Sequence, residues 1–131
     1  MVKFIALFCV LSTSILANAQ IDTLKCEEFF THYDTLLGEN LIVLWETPSS
    51  LKGCSQKVVD TLEDFARKQT NYKYILIDII IDSEGVPICF RFRQEIEPVI
   101  KVKLTDKLRL LRFKPALIKD KRVESIYTLK I

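Results

Sequence analysis

The sequence predicts an α+β fold in which helices flank a mostly antiparallel sheet. Apolar residues recur at helical spacing in three segments, and they alternate with a period of two in a hairpin pattern and in a terminal strand pattern. The elements follow one another as helix, strand, helix, hairpin, helix and strand. Because strands joined by a short turn run antiparallel, most of the sheet should be antiparallel.

The first residues of the chain have the features of a cleavable secretory signal peptide. Lys3 supplies the positive start, an apolar run follows from Phe4 to Leu11, and Ala17-Asn18-Ala19 fits the small-residue cleavage pattern. The apolar run is shorter than the roughly 20 residues that a membrane-spanning helix needs. We therefore predict a signal peptide over residues 1–19 and a periplasmic or secreted mature protein of one domain, residues 20–131, with no stable membrane span.

Composition and charge exclude several classes of protein. Hydrophobic residues make up 49% of the chain, which contains 3 glycines and 4 prolines, so the sequence is typical of a folded domain rather than a disordered or fibrous one. The formal net charge is +2. A charge this small gives no strong field to attract nucleic acid or acidic membranes, so a partner would be recognised by shape and local contacts.

The N-terminal half of the mature chain contains two helix patterns on either side of a strand pattern. Thr23 to Leu37 is an amphipathic segment with Thr23 as its N-cap and Gly38 as its stop. Leu41 to Trp45 is a short apolar run of the kind found in buried strands. A second helix is predicted from Ser55 to Lys68, with basic residues in its last turn.

The clearest element is a β-hairpin formed by residues 74–82 and 86–93. Gly85 in its turn can adopt the left-handed conformation. Isoleucines at odd positions of the first strand share one face, and matching them with Ile88, Phe90 and Phe92 places Asp78 across from Arg91. Leu76 and Ile80 share the face of Asp78, so we expect this second face either to be only partly exposed or to be covered by the N-terminal segment.

A third helix and a terminal strand complete the chain. Pro98 fits the first turn of a helix whose apolar stripe ends at Leu111, and Phe113 to Ala116 should end that helix. Val123 to Ile131 alternates as a strand, with Tyr127 and Leu129 directed to the core. The residues of the opposite parity, expected to face solvent, are Glu124, Ile126, Thr128 and Lys130.

Three features of the second half, taken in order, resemble the C-terminal domain of TonB and its relatives. They are the D-x-x-G turn at Asp82 to Gly85, the F-x-P-A element at Phe113 to Ala116, and the basic turn at Lys119 to Arg122 before the terminal strand. The resemblance covers about residues 74–131. It implies a hairpin, helix and strand fold and the binding of proteins or peptides at a sheet edge.

The sequence departs from the energy transducers of that family, which keep an uncleaved membrane anchor and a Pro-rich spacer, because its signal peptide is predicted to be cleaved and it contains no Pro-rich stretch. We therefore expect a small exported relative without the transport role. Its partner, a protein or peptide, would add an extended segment along the terminal strand and contact Glu124, Ile126, Thr128 and Lys130. The alternative is that Lys130, Glu124 and neighbouring basic residues only protect the edge from aggregation.

The mature chain carries Cys26, Cys54 and Cys89, and an odd number permits at most one intrachain disulfide. We predict the pair Cys26 and Cys54, because both lie near helix N-termini in the N-terminal half, whereas Cys89 lies within a strand.

Catalytic and metal-binding patterns are missing from the sequence. His32 is the only histidine, and the cysteines have neither the spacing of a zinc site nor a cysteine-protease signature. We therefore predict a protein that is not an enzyme and needs no cofactor. The alternative class is a thioredoxin-like redox or chaperone protein that uses Cys54, which follows an apolar strand and precedes a helix. That fold would require a parallel crossover in the sheet.

Overall fold

A computed structural model of the chain describes residues 23–38, 45 and 47–131. The predicted signal peptide and the predicted strand from Leu41, except Trp45, lie outside the described residues. Within the described part of the chain, no helix combines the length and the apolar character that crossing a membrane requires.

The described residues form three α-helices, and their bounds agree closely with the sequence prediction. Helix α1 spans Thr23–Gly38, helix α2 spans Gln56–Gln69 and helix α3 spans Pro98–Leu108. A 3-10 turn at Gly53–Ser55 leads into α2. Pro98 stands in the first turn of α3, where its missing N–H has no helical acceptor to lose.

In the described part of the chain, seven short strands form three antiparallel sheets, so the α+β prediction is confirmed. The central sheet has three strands in the order β3-β2-β7, and the other two sheets pair β1 with β4 and β5 with β6. The strands are β1 Ser50–Leu51, β2 Leu76–Ile81, β3 Pro87–Phe92, β4 Phe113–Lys114, β5 Ala116–Ile118, β6 Lys121–Val123 and β7 Ser125–Lys130.

The predicted terminal strand is in fact two strands that pair with different neighbours. Lys119 and Asp120 both have positive φ, 50° and 63°, and this two-residue turn folds β5 and β6 into a hairpin. Val123 therefore pairs with Ala116, and the chain joins β2 only from Ser125 onward. The F-x-P-A element does not end α3 as expected, because α3 already ends at Leu108. Phe113 and Lys114 instead form β4, which pairs with β1, and Ala116 begins β5.

Helices α2 and α3 cover the first face of the central sheet. The odd residues of β2 point into this core, as the alternation predicted, and Phe113 packs there with its ring centroid 5.0 Å from that of Tyr127. The core includes Leu62, Ala66, Ile75, Ile77, Ile79, Ile81, Leu104, Leu108, Leu111, Phe113 and Leu129. Leu129 and Tyr127 of β7 pack with this core, so burial of their side chains supports the pairing of β7 with β2.

Helix α1 covers the second face of the sheet. Phe30 and Tyr33 pack with Ile80 and Cys89 in a separate apolar cluster. The N-terminal segment therefore covers the face of Asp78, which is one of the two alternatives that the sequence left open.

The predicted Cys26–Cys54 disulfide is wrong, because Cys26 is bonded to Cys89. The two Cα atoms are 5.6 Å apart. The side chain of Cys89 points to the second face, where α1 places Cys26 directly above it. Cys54 lies in the 3-10 turn before α2. The face of the sheet that α1 covers, and not nearness along the chain, determines the pairing.

The hairpin turn and the F-x-P-A element are in direct contact. The carboxylate of Asp82 accepts hydrogen bonds from the backbone N–H groups of Glu84 and Val86, and Gly85 has a φ of +82°. The Gly85 carbonyl accepts a hydrogen bond from the N–H of Phe113 at 2.9 Å. A Cβ atom at Gly85 would overlap the Phe113 carbonyl oxygen.

We expect Gly85→Ala to lower the free energy of unfolding by about 2 to 4 kcal/mol, the sum of left-handed strain and steric overlap. Gly53→Ala is the matched control, since Gly53 is exposed and a Cβ there would meet nothing within 4 Å. Urea unfolding of both variants tests the contact. Equal stabilities would contradict it.

Replacing both Cys26 and Cys89 by alanine should lower the free energy of unfolding by about 4 kcal/mol, the chain-entropy value for a sequence separation of 63 residues. Denaturant titration measures the loss. Mass mapping of non-reduced peptides from the unaltered protein provides the control, and a Cys26–Cys54 peptide there would restore the original assignment.

Candidate functional site

Strand β7 presents its backbone at one edge of the central sheet. Ile131 and Ile75 exchange both backbone hydrogen bonds, at 3.0 and 2.7 Å, and in an antiparallel ladder such pairs alternate with pairs that point outward. Ser125, Tyr127 and Leu129 therefore bond to β2. The N–H and C=O groups of Ile126, Thr128 and Lys130 point away from it, and no hydrogen bond to them comes from residues 23–38, 45 or 47–131.

The two edges of the central sheet differ in regularity. Strand β7 pairs with β2 through six consecutive residue pairs without a shift. On the opposite side the register of β3 shifts between Ile80 and Ile81, and β3 begins at Pro87, which has no backbone N–H. A continuous ladder could therefore be extended more readily from β7.

The four residues predicted to contact a partner do lie on one face of this edge, but only two of them face solvent. Thr128 and Lys130 are exposed, whereas Glu124 and Ile126 are half-buried. Helix α1 causes the difference: Ile126 packs against its apolar cluster, and Glu124 accepts a hydrogen bond of 3.3 Å from the hydroxyl of Tyr33. Burial, together with the charge of Glu124, raises the pKa of Tyr33.

A buried carboxylate fixes the side chains beside this edge. Asp78 in β2 is 0% exposed, and it is bound by the guanidinium groups of Arg91 and Arg93, each at 2.8 Å, and by the hydroxyl of Thr128 at 2.8 Å. Burial alone would raise the pKa of Asp78, but the hydrogen bonds from Arg93, Arg91 and Thr128 outweigh it and lower that pKa. Asp78 therefore stays ionised and joins all three strands.

The same cluster reaches the helix above the sheet. Arg91 also binds Asp34 of α1 through two hydrogen bonds, of 2.7 and 3.0 Å, and its guanidinium carbon lies 4.7 Å from the ring centroid of Phe30. The bonds to Asp34 and Asp78 raise the pKa of Arg91. Strand parity predicted the contact between Asp78 and Arg91, and the same parity could have indicated Arg93. Nothing in the sequence pattern indicated Asp34.

The remaining candidate groups are separated from one another. His32 is exposed on α1, with its ring centroid 5.6 Å from that of Tyr33. Among the described residues there is no group of three or more His, Cys, Asp or Glu side chains able to hold a metal ion. The strand pairs formed by the described residues are antiparallel, which is not the parallel crossover that a thioredoxin-like use of Cys54 would require.

No known protein family, curated protein or solved structure matches this chain. The resemblance to the TonB C-terminal domain therefore stays a prediction from the sequence. Any functional argument has to rest on the geometry of the β7 edge and the residues that support it.

Asp78→Asn should lower the free energy of unfolding at pH 7 by about 2 kcal/mol, because two arginines lose their counter-charge. The pKa of Asp78 is lower in the folded protein than in the unfolded chain, where it is about 4. The difference in free energy of unfolding between the unaltered protein and Asp78→Asn should therefore be largest above a pH of about 4, and should shrink as the pH falls through the folded-state pKa.

Glu84→Gln is the control for this experiment. It removes an exposed ion pair with Arg122 at 3.5 Å and should change stability by no more than about 0.5 kcal/mol. Denaturant titrations between pH 7 and pH 2 measure both variants. If the difference in free energy of unfolding between Asp78→Asn and the unaltered protein does not change with pH, the lowered pKa of Asp78 is refuted.

Proposed function

We propose that this protein is an exported, non-enzymatic protein-binding module that pairs an extended segment of a partner with the open edge of strand β7. The observation that carries the proposal is the outward direction of the backbone groups of Ile126, Thr128 and Lys130 in a regular ladder. An added strand would continue the sheet through these groups.

Export is supported by two features of different kind. The first residues of the sequence have the pattern of a signal peptide. The Cys26–Cys89 disulfide is typical of proteins that fold in oxidising compartments such as the periplasm or the extracellular space. We accordingly propose a periplasmic or secreted location.

The edge is preorganised for binding by contacts within the protein. Thr128 is held by Asp78, Glu124 by Tyr33, and the ammonium of Lys130 lies 4.7 Å from the ring centroid of Tyr74. Because these side chains are already ordered, this edge would lose less conformational entropy when a partner binds. Backbone pairing would supply affinity, and the exposed Thr128 and Lys130 would select the side chains of the partner.

In the free protein, the backbone amides of Ile126, Thr128 and Lys130 should exchange with solvent faster than those of Tyr127, Leu129 and Ile131. Hydrogen exchange followed by NMR measures this alternation. On addition of peptides selected from a random display library, the three outward amides should become protected. Selected peptides that leave them unprotected would refute edge pairing.

Thr128→Pro and Thr128→Val form a matched pair for the same question. Both remove the hydroxyl bonded to Asp78, but only proline removes the outward N–H, which bonds to no residue of β2. Thr128→Pro should weaken peptide binding about tenfold more than Thr128→Val does. Exchange protection of Leu129 shows whether each variant keeps the sheet. Equal affinities in two folded variants would eliminate this edge.

A further inference from the structure

A basic groove lies at the C-terminal end of β7. It has a volume of about 270 Å³ and is formed by the end of α2, the loop before β2 and the last residues of the chain. The side chains that determine its chemistry are Glu63, Arg67, Tyr72, Lys73, Tyr74 and Lys130.

The groove carries more positive than negative charge. Arg67, Lys73 and Lys130 face it together with one carboxylate, that of Glu63. None of the three cations forms an ion pair within the part of the chain that the structure describes. Uncompensated cations in a concave site attract carboxylates and bind them by charge-assisted hydrogen bonds.

The two tyrosines give the groove fixed walls. Tyr72 and Tyr74 are each 42% exposed, although large aromatic side chains are usually more deeply buried. The hydroxyl of Tyr72 donates a hydrogen bond of 2.7 Å to the carbonyl of Glu95, and the ring of Tyr74 lies beside the ammonium of Lys130. The rings are therefore held in place while part of each surface remains accessible.

The groove is continuous with the proposed binding edge through Lys130. The backbone of Lys130 points outward from β7, and its side chain lines the groove. A strand paired with β7 advances about 3.3 Å per residue, so its next residues beyond Lys130 would pass over the groove. The other end of β7 carries Glu124, whose charge would not favour an acidic residue there.

We infer that the segment that pairs with β7 is acidic at the end that passes Lys130, and that its Asp or Glu side chains bind in this groove. The inference rests on the proposed function. It adds the chemical class of the partner, an extended acidic peptide segment, and a second contact that backbone pairing alone would not give.

The test begins from short random peptides displayed on phage and selected on the purified protein. Edge-pairing peptides are those that bind Thr128→Val about tenfold or more tightly than Thr128→Pro. Among them, Asp and Glu should be enriched toward one end. The double variant Arg67→Glu with Lys73→Glu should weaken their binding about tenfold or more at low salt, and added salt should reduce the difference.

The double variant Lys57→Glu with Lys103→Glu is the matched control. It changes the net charge by the same amount at exposed positions outside the groove, and it should leave the affinity within about threefold of the unaltered protein. An equal loss in both double variants would indicate a general effect of charge and overturn the inference.

Other outcomes separate this inference from the function on which it rests. Edge-pairing peptides without an acidic end would overturn the groove assignment and leave edge pairing intact. Acidic peptides that respond to Arg67→Glu with Lys73→Glu, yet leave the outward amides of β7 unprotected, would show a groove that takes anions independently, and would also overturn the inference. If no selected peptide distinguishes Thr128→Pro from Thr128→Val, edge pairing fails and the inference fails with it.

Discussion

The ionised carboxylate of Asp78 lies in the middle of a strand that is buried on both faces. Residues 77–81 of β2 are all buried, between α2 and α3 on one side and α1 on the other. An unpaired charge at such a position would cost several kcal/mol. Its neighbours must therefore supply compensation, and they do so from different elements: Arg91 and Arg93 from β3 and Thr128 from β7.

This requirement fixes the register of the edge strand. A shift of β7 by one residue would turn its whole side-chain pattern over, moving the hydroxyl of Thr128 away from Asp78 and Leu129 out of the core. The polar contact on the second face and the apolar contact on the first face thus specify the same pairing. The direction of the outward backbone groups follows from it, so the geometry of the proposed binding edge depends on a residue one strand away.

Helix α1 extends this arrangement to the N-terminal part of the chain. It is attached to β3 at two points, the disulfide between Cys26 and Cys89 and the ion pair between Asp34 and Arg91. Since Arg91 also binds Asp78, the helix, the buried carboxylate and the edge strand share one network. Because α1 packs on the second face, Glu124 and Ile126 are half-buried beneath it, whereas Thr128 and Lys130 remain exposed.

The sequence predicted what depends on local pattern and failed where distant segments meet. Alternation predicted the hairpin and the pair Asp78 and Arg91, and the glycine in the turn predicted the left-handed Gly85. Alternation did not predict the register shift in β3, which packs Ile88 with the second-face cluster instead of with Phe90 and Phe92. The partner of Cys26 depends on where α1 lies on the sheet, which periodicity does not encode. The break before Ser125 separates residues 121–123, which pair with β5 in a local hairpin, from residues 125–130, which pair with the distant strand β2. Ile126, Thr128 and Lys130 lie on the edge strand, as alternation predicted, but the exposure of the predicted site residues depends on a helix about 90 residues earlier in the chain.

Whether an open edge recognises a partner or merely avoids aggregation depends on where its charges are held. Natural edges are often protected by charged side chains that obstruct a second strand. Here the ammonium of Lys130 lies over the ring of Tyr74, and the carboxylate of Glu124 accepts a hydrogen bond from Tyr33, so both charges already have partners within the protein. The outward groups between them belong to Ile126 and Thr128, which are neutral. Only a short ladder can form along the outward groups of Ile126, Thr128 and Lys130, so a partner would need contacts beyond the strand to bind stably. The groove next to Lys130 is in the position to provide them, and an edge this short would pair poorly with chains that lack the matching charge.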